Sequence, residues 1–321
     1  MKKKLIKFSK TVLPLLLGVF LIWYSLSSAT AEERQELWEN ILLADLKWVV
    51  LSVFLGILSH LSRAYRWKYL LEPIGYSPGL ANSFMAVMGG YLANLGVPRS
   101  GEVLRGATIS TYEKIPFDKA FGTIVSERIA DLVMLLIIAI FGLLIQTEGI
   151  IDYFQSNDIN PFLSIGIFFA IIGVGVLGLR LIRNSQHPFM VKIRDFARGL
   201  LEGMRSILKM RQKKAFLLHT FFIWAMYLLM FYVIKFAIPE TNSLSLAGIM
   251  AAFIVGSFAI STTNGGIGVY PIAMGAVLLL FGINQQAGEA FGWIMWGSQT
   301  LMVVVLGGLS LIFLPLLNQK K

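Results

Sequence analysis

The run N-L-G-V-P-R-S-G-E-V-L-R, residues 94–105, sets Arg99, Glu102 and Arg105 into surroundings apolar enough to sit in lipid. A second run, A-F-G-T-I-V-S-E-R-I-A-D at 120–131, puts Glu127, Arg128 and Asp131 at the head of a long apolar segment. A charge at the bilayer centre costs roughly 3 kcal/mol on insertion scales. Such charges persist when they pair or line a polar cavity, so the fold has to bring partners to them. Glu127 and Asp131 stand four residues apart on one helical face, where like charges repel. Arg128 cannot neutralise both, so Arg99 and Arg105 are expected to supply two-point guanidinium–carboxylate contacts.

The surroundings are those of a polytopic, all-α membrane protein. Of 321 residues, 56% are hydrophobic and 14% charged, and the mean hydropathy is +0.71. A soluble domain would carry about a quarter charged residues. The absence of cysteine excludes disulfides and thiolate metal sites. His60, His187 and His219 lie too far apart to form a ligand set and read as solvated or interfacial side chains. The net charge of +10 is concentrated in a few loops. Orientation of the chain and contact with anionic headgroups at the cytoplasmic face explain it better than nucleic acid.

Taken in order, Lys2, Lys3, Lys4, Lys7 and Lys10 place the N-terminus in the cytoplasm of a cell-membrane protein. No small-x-small cleavage site follows Ser28, so residues 11–29 read as a first span. The acidic segment after it, with Leu37, Trp38, Ile41 and Leu42 at helical spacing, reads as a short helix on the outer surface. Trp48 to His60 returns inward and ends in R-A-Y-R-W-K at 63–68, a mixture of bases and aromatics typical of an interfacial belt. Arg63 and Arg66 are therefore expected to be anchors within reach of a headgroup.

Span 121–145 is followed by a loop with three acids and no base, which belongs outside. Residues 69–120 must then begin and end in the cytoplasm. A re-entrant hairpin meets this condition: down along 80–95, turning at 96–101, back along 102–113. Residues 161–182 cross inward. Residues 183–214, with nine Lys/Arg against two acids, form a cytoplasmic amphipathic segment. Residues 216–237 cross outward and 289–314 cross inward, leaving 246–282 as a second re-entrant hairpin from outside. The expected architecture is about six transmembrane helices plus two re-entrant hairpins in one membrane-embedded domain, 1–321.

The two hairpin regions echo each other. One precedes A-F-G-T-I at 120–124 and the other precedes A-F-G-W-I at 290–294. With one hairpin entering from each side, halves of about 79–146 and 246–316 would form an inverted repeat, an arrangement that marks midplane sites in transporters. The second half offers Asn264, Gly265, Gly266 and Gly268, whose backbone amides either approach an anion or simply permit a tight turn.

Two readings of the charged cluster follow from the residues alone. It is either a salt-bridge network locking hairpin to span, or a polar cavity whose arginines take a phosphate headgroup. Three carboxylates are enough to hold Mg²⁺, but the adjacent arginines oppose a cation. No Ser-His-Asp set, P-loop or zinc motif is present, so neither catalytic residues nor a cofactor is expected.

P-R-S-G-E-V-L-R at 98–105, P-x-x-x-A at 116–120, E-R-I-A-D at 127–131 and T-N-G-G-I-G-V at 263–269 resemble the flippase-like membrane domain of the lysylphosphatidylglycerol synthase family. The resemblance covers nearly the whole chain. It implies a lipid translocator, since in fused members this domain moves an aminoacylated lipid between leaflets. Ending at Lys321, the chain leaves no room for a transferase domain, so lipid synthesis is not expected of it. The second signature often ends in an acid, where this chain has Tyr270-Pro271. The expected partner is a phospholipid or polyprenyl-linked lipid bound through Arg99, Glu102, Arg105, Glu127, Arg128, Asp131, Asn264, Gly265, Gly266 and Gly268, with a homo-oligomer left open. A membrane-embedded enzyme or accessory subunit acting on lipid-linked intermediates is the alternative, and a structural assembly partner a third.

Overall fold

The computed structural model describes residues 29–145 apart from Pro98, residues 210–319 apart from Asn264, and a few single positions elsewhere. The expected span 11–29, the acidic loop after 145, the crossing 161–182 and most of the segment 183–214 lie outside the described residues. The chain divides into two compact units, residues 1–127 with 212–321, and residues 128–211. Among the described residues all regular structure is helical.

Helix α1 (Ala31–Leu42) starts at a capping box in which the Thr30 hydroxyl accepts from the Glu33 amide and the Glu33 carboxylate accepts from the Thr30 amide. Its Leu37 is buried. Glu36 accepts from Asn284 at 2.9 Å, so the helix is tied to the start of the last long helix.

Helix α2 (Leu46–Leu71) runs past the expected stop at residue 60. Its 26 residues reach about 39 Å, more than the roughly 30 Å of a hydrocarbon core. It packs along α6 (Lys213–Ile234), whose 22 residues also suffice to cross. With the 33-residue α9 (Gln285–Leu317), these are the three helices long and apolar enough to span a membrane among the described residues.

Between them lie two helical hairpins. The first joins α3 (Leu80–Gly96) to α4 (Ser100–Glu113). Each arm, about 26 and 21 Å long, is too short to cross alone. The arms touch at glycines: a Cβ on Gly101 would lie 2.1 Å from the Gly90 carbonyl oxygen. At the mouth, Glu113 accepts from the Gly79 amide at 3.1 Å and from Asn82 at 2.6 Å, so entry and exit lie side by side. The second hairpin joins α7 (Leu246–Thr262) to α8 (Val269–Leu279). Its mouth also closes on itself, with Phe281 3.2 Å from a Cβ placed on Gly248.

α9 links the two. Its N-cap, Asn284, follows directly on the mouth of the second hairpin. At the other end Asn318 exchanges amide hydrogen bonds with Asn82, at 3.0 and 2.9 Å, at the mouth of the first. The two mouths therefore stand at opposite ends of a helix about 50 Å long. The tips meet between them, with Leu95 Cδ2 3.2 Å from a Cβ placed on Gly265. α9 packs on α8 through Gly292 and on α3 through Gly307, where Cβ atoms would come within 2.7 Å of Pro271 Cα and Leu92 Cβ. Small residues allowing such approach are the usual device for packing helices in lipid. Its other face shows Leu301, Val304, Val305, Ile312 and Phe313 exposed, as a lipid-facing surface requires.

Helix α5 (Phe117–Ile145) opens in the first unit, where Glu127 is its last residue. In the second unit the same helix continues as an apolar segment from Arg128, with Ile138 buried. The A-F-G match does not extend to packing: Gly292 is tightly enclosed, while a Cβ on Gly122 would meet nothing within 4 Å among the described residues.

Candidate functional site

The buried face of α2 is polar. Ser52, Gly56, Ser59, Arg63 and Arg66 follow one another at three- and four-residue steps, with His60 and Trp67 beside them, and all are enclosed. Lipid on the other face demands apolar side chains, so polar groups gather on the side facing protein. Arg63 and Arg66, three residues apart, share that face and point to one carboxylate.

That carboxylate is Glu127. Arg63 Nη1 donates to Oε1 at 2.5 Å, and Arg66 Nη2 stands 3.3 Å from the same oxygen. Arg105, from the return arm of the first hairpin, grips both oxygens, Nη1 to Oε1 at 3.1 Å and Nη2 to Oε2 at 2.8 Å. The four side chains are sealed: Glu127 and Arg66 are 0% exposed, Arg63 2% and Arg105 4%.

A ring of neutral groups fixes the guanidiniums in place. Arg66 Nη1 donates to the Thr220 hydroxyl at 2.7 Å, which donates in turn to the Phe216 carbonyl. The Arg66 guanidinium also lies 5.0 Å over the Phe216 ring. Arg105 stacks on Trp67 at 3.9 Å, and the Trp67 indole N–H is held by Thr123 at 2.8 Å. Arg63 Nη2 reaches the Tyr227 hydroxyl at 3.5 Å. Stacking and two-point contacts of this kind suit arginine's planar fork and not lysine's point charge.

Three guanidiniums thus meet on the one Glu127 carboxylate. Taking ions out of water costs several kcal/mol each, so such a cluster persists only with its charges paired and hydrogen-bonded.

The other expected site residues are placed differently. Arg99 is exposed at the tip of the first hairpin, in a left-handed conformation with φ 61°. It is not among the groups that bond Glu127, so its expected pairing gives way to Arg63 and Arg66. Glu102 is half-buried in the first turn of α4. In the second unit Arg128 is exposed and faces the buried Asp131 at 3.8 Å. Asn264 lies outside the described residues. Gly265, Gly266 and Gly268 all have positive φ, at 68°, 86° and 71°, and make the turn between α7 and α8. The Gly265 amide donates to the Thr263 carbonyl and the Gly266 amide to the Thr263 hydroxyl, both at 3.0 Å. Those two amides are committed within the turn.

Arg63 and Arg66, expected as belt anchors, are instead buried against Glu127. In the 63–68 run only Tyr65 and Lys68 are partly exposed, with Lys68 Nζ 4.2 Å from the Tyr65 ring. The histidines change too. His60 is buried between Tyr91 and Tyr227, at ring distances of 4.9 and 6.3 Å, while half-buried His219 bonds Ser62 at 2.8 Å. His187 lies outside the described residues.

The model of the transmembrane region of lysylphosphatidylglycerol synthase matches residues 11–308. A UPF0104 membrane protein of Methanocaldococcus jannaschii is 34% identical over 98 residues, 30% of this chain and 29% of that protein. The chain thus matches under a third of that relative's length. No solved structure matches the chain.

Proposed function

The chain belongs to the family of the lysylphosphatidylglycerol synthase transmembrane region, and from that premise we propose that it carries a phosphate-containing lipid between the leaflets of the cell membrane. The observation that supports this most directly is the buried arginine cluster, three guanidiniums on the single Glu127 carboxylate. Arginine forks match phosphate oxygens as well as carboxylate oxygens, so a headgroup phosphate can take over contacts that Glu127 now fills. Residues bearing such charge within membrane-spanning helices are by default part of a substrate path.

Two hairpins with mouths at opposite ends of α9 and tips in contact favour the same reading. In this proposal they form the halves of an inverted repeat, entering from the cytoplasm and from outside, with the N-terminus cytoplasmic. Arg99 at the first tip and Glu102 behind it stand where a headgroup would arrive before reaching the sealed cluster. Because the cluster is closed, the arm carrying Arg105 must move away from α2 to admit it. A dimer is compatible with this route and is not required by it.

The test is leaflet-resolved movement of labelled phospholipid and polyprenyl-phosphate lipid in liposomes containing purified protein. Movement above that of protein-free liposomes, lost in Arg63→Gln at matched amounts of folded protein, is the expected result. Equal rates for wild type, variant and empty liposomes would overturn the proposal.

A further inference from the structure

We propose that His60 is a proton-binding site whose protonation opens the seam between α2 and the first hairpin, which makes the lipid movement proton-linked. What the opening serves rests on the lipid-translocator reading; the opening itself does not. His60 is 8% exposed and stands three residues before Arg63 on the buried face of α2. Its ring lies between Tyr91 of α3, at 4.9 Å, and Tyr227 of α6, at 6.3 Å. Its Nδ1 is enclosed and has no hydrogen-bond partner among the described residues. Buried polar atoms are paired as a rule, and an orphan of this kind calls for an explanation.

Two further orphans stand near it. Trp224 Nε1 belongs to a ring system 6.0 Å from Tyr227, and Gln299 Oε1 lies 2.6 Å from a Cβ placed on Gly56, one turn before His60. Gln299 Nε2 reaches the Ser52 hydroxyl at 3.4 Å. A line of polar groups therefore runs along α2 to His60 and meets the arginines there.

The groups facing the imidazole come from three helices. α3 presents Tyr91, and α6 presents Tyr227, whose hydroxyl is 3.5 Å from Arg63 Nη2. α2 itself presents Arg63, which donates in turn to Glu127 of α5. α9 approaches this face through Gln299, which does not titrate. No carboxylate bonds the His60 ring among the described residues. A proton taken from water would make the ring a second cation beside Arg63, in a place closed to solvent. Tyrosine faces attract a cation weakly against what its removal from water costs. That cost falls away when α3 parts from α2 and water reaches the imidazolium. A proton that binds the open form better shifts the population towards it. The same proton returns to water when the seam closes, and no bond of the lipid is made or broken.

The test uses full-length protein in liposomes with labelled phosphatidylglycerol, a diester without the second phosphate ionisation at about 6. Its movement between leaflets is compared at about pH 5.5 and about pH 8, the same on both sides, the range in which histidine changes charge. Backbone hydrogen exchange in α3 and α4, corrected for the intrinsic effect of pH, reads the opening independently of lipid. Wild type should move lipid, and exchange these amides, about tenfold faster at the lower pH. His60→Gln should lose the pH dependence of both readouts, and His219→Gln should keep it. Should His60→Gln fold poorly, His60→Asn takes its place.

Lipid movement and exchange in wild type that are indifferent to pH, or acid acceleration retained without His60, would overturn the proton site and leave lipid translocation standing. Faster movement in acid without faster exchange would overturn the opening of the seam. Acid-enhanced exchange that depends on His60, with no lipid moved at either pH, would uphold the proton-linked opening and overturn the lipid reading. Exchange indifferent to pH with no lipid moved overturns both.

Discussion

Arg105 holds Glu127 by both carboxylate oxygens, at 3.1 and 2.8 Å, from a 14-residue hairpin arm too short to cross a membrane alone. The bond ties the first helical hairpin to α5. Glu127→Gln keeps the shape of the side chain and removes its charge, taking from three buried guanidiniums the carboxylate on which they meet. Breaking a buried pair in this way costs about 3–5 kcal/mol. Thermal unfolding in detergent should show a clear loss of stability, and added phosphate should recover part of it. A melting temperature equal to wild type would mean the cluster is hydrated and not sealed.

Arg105→Lys keeps the charge and removes the fork. Lysine meets one oxygen where arginine meets two, and it loses the flat stack on Trp67. One charge-assisted hydrogen bond is worth about 1.5–3 kcal/mol, so a loss towards the lower end is expected. The Trp67 emission should shift in the variant, and a Trp67→Phe background identifies the signal. An unchanged spectrum would separate Arg105 from Trp67.

Helix packing gives a paired prediction. A Cβ on Gly101 would meet the Gly90 carbonyl oxygen at 2.1 Å, so Gly101→Ala must push the two arms of the first hairpin apart. Overpacking of this kind costs about 1–3 kcal/mol and would also draw Arg105 away from Glu127. Gly122 has nothing within 4 Å of its missing Cβ among the described residues, and Gly122→Ala should gain up to about 1 kcal/mol from helix propensity. Unfolding of both variants beside wild type checks the sign of each. A tolerated Gly101→Ala would show that the hairpin arms separate at little cost.

The helices were legible because lipid enforces a simple pattern. The apolar spans and the breaks at Pro98–Gly101 and Gly265–Gly268 located α3, α4, α7, α8 and α9 to within a few residues. Arg105 and Glu127 were legible for the same reason, as charges in apolar surroundings. Arg63 and Arg66 were not. They stand among Tyr65, Trp67 and Lys68, and an aromatic–basic run at the end of an apolar segment looks the same whether it meets headgroups or protein. The signal that separates the two cases was present upstream: Ser52, Gly56, Ser59 and His60 continue the arginine face at helical steps. A polar stripe that long cannot face lipid. Arg99, expected to pair with a carboxylate, stands exposed at the turn in a left-handed conformation and is not among the groups on Glu127.

Sidedness provides the last prediction. The chain has no cysteine, so single cysteines can be introduced at exposed positions without a background. Ser77 and Asp118 flank the first hairpin, Asn242 and Asn284 the second, and all four are exposed. The Glu113 contacts hold both ends of the first hairpin together, and Phe281 beside Gly248 does the same for the second. Each pair must therefore label from one side. The Asn82–Asn318 and Asn284 ends of α9 lie about 50 Å apart, so the two pairs must label from opposite sides. The basic N-terminus assigns the first pair to the cytoplasm. An impermeant thiol reagent added to intact cells should modify Asn242→Cys and Asn284→Cys, and reach Ser77→Cys and Asp118→Cys only after permeabilisation. Labelling of Ser77→Cys with Asn242→Cys protected would reverse the orientation while preserving the hairpins. Labelling of one member of a pair without the other would mean that the hairpin crosses the membrane, and the opposed-hairpin route for the lipid would fall with it.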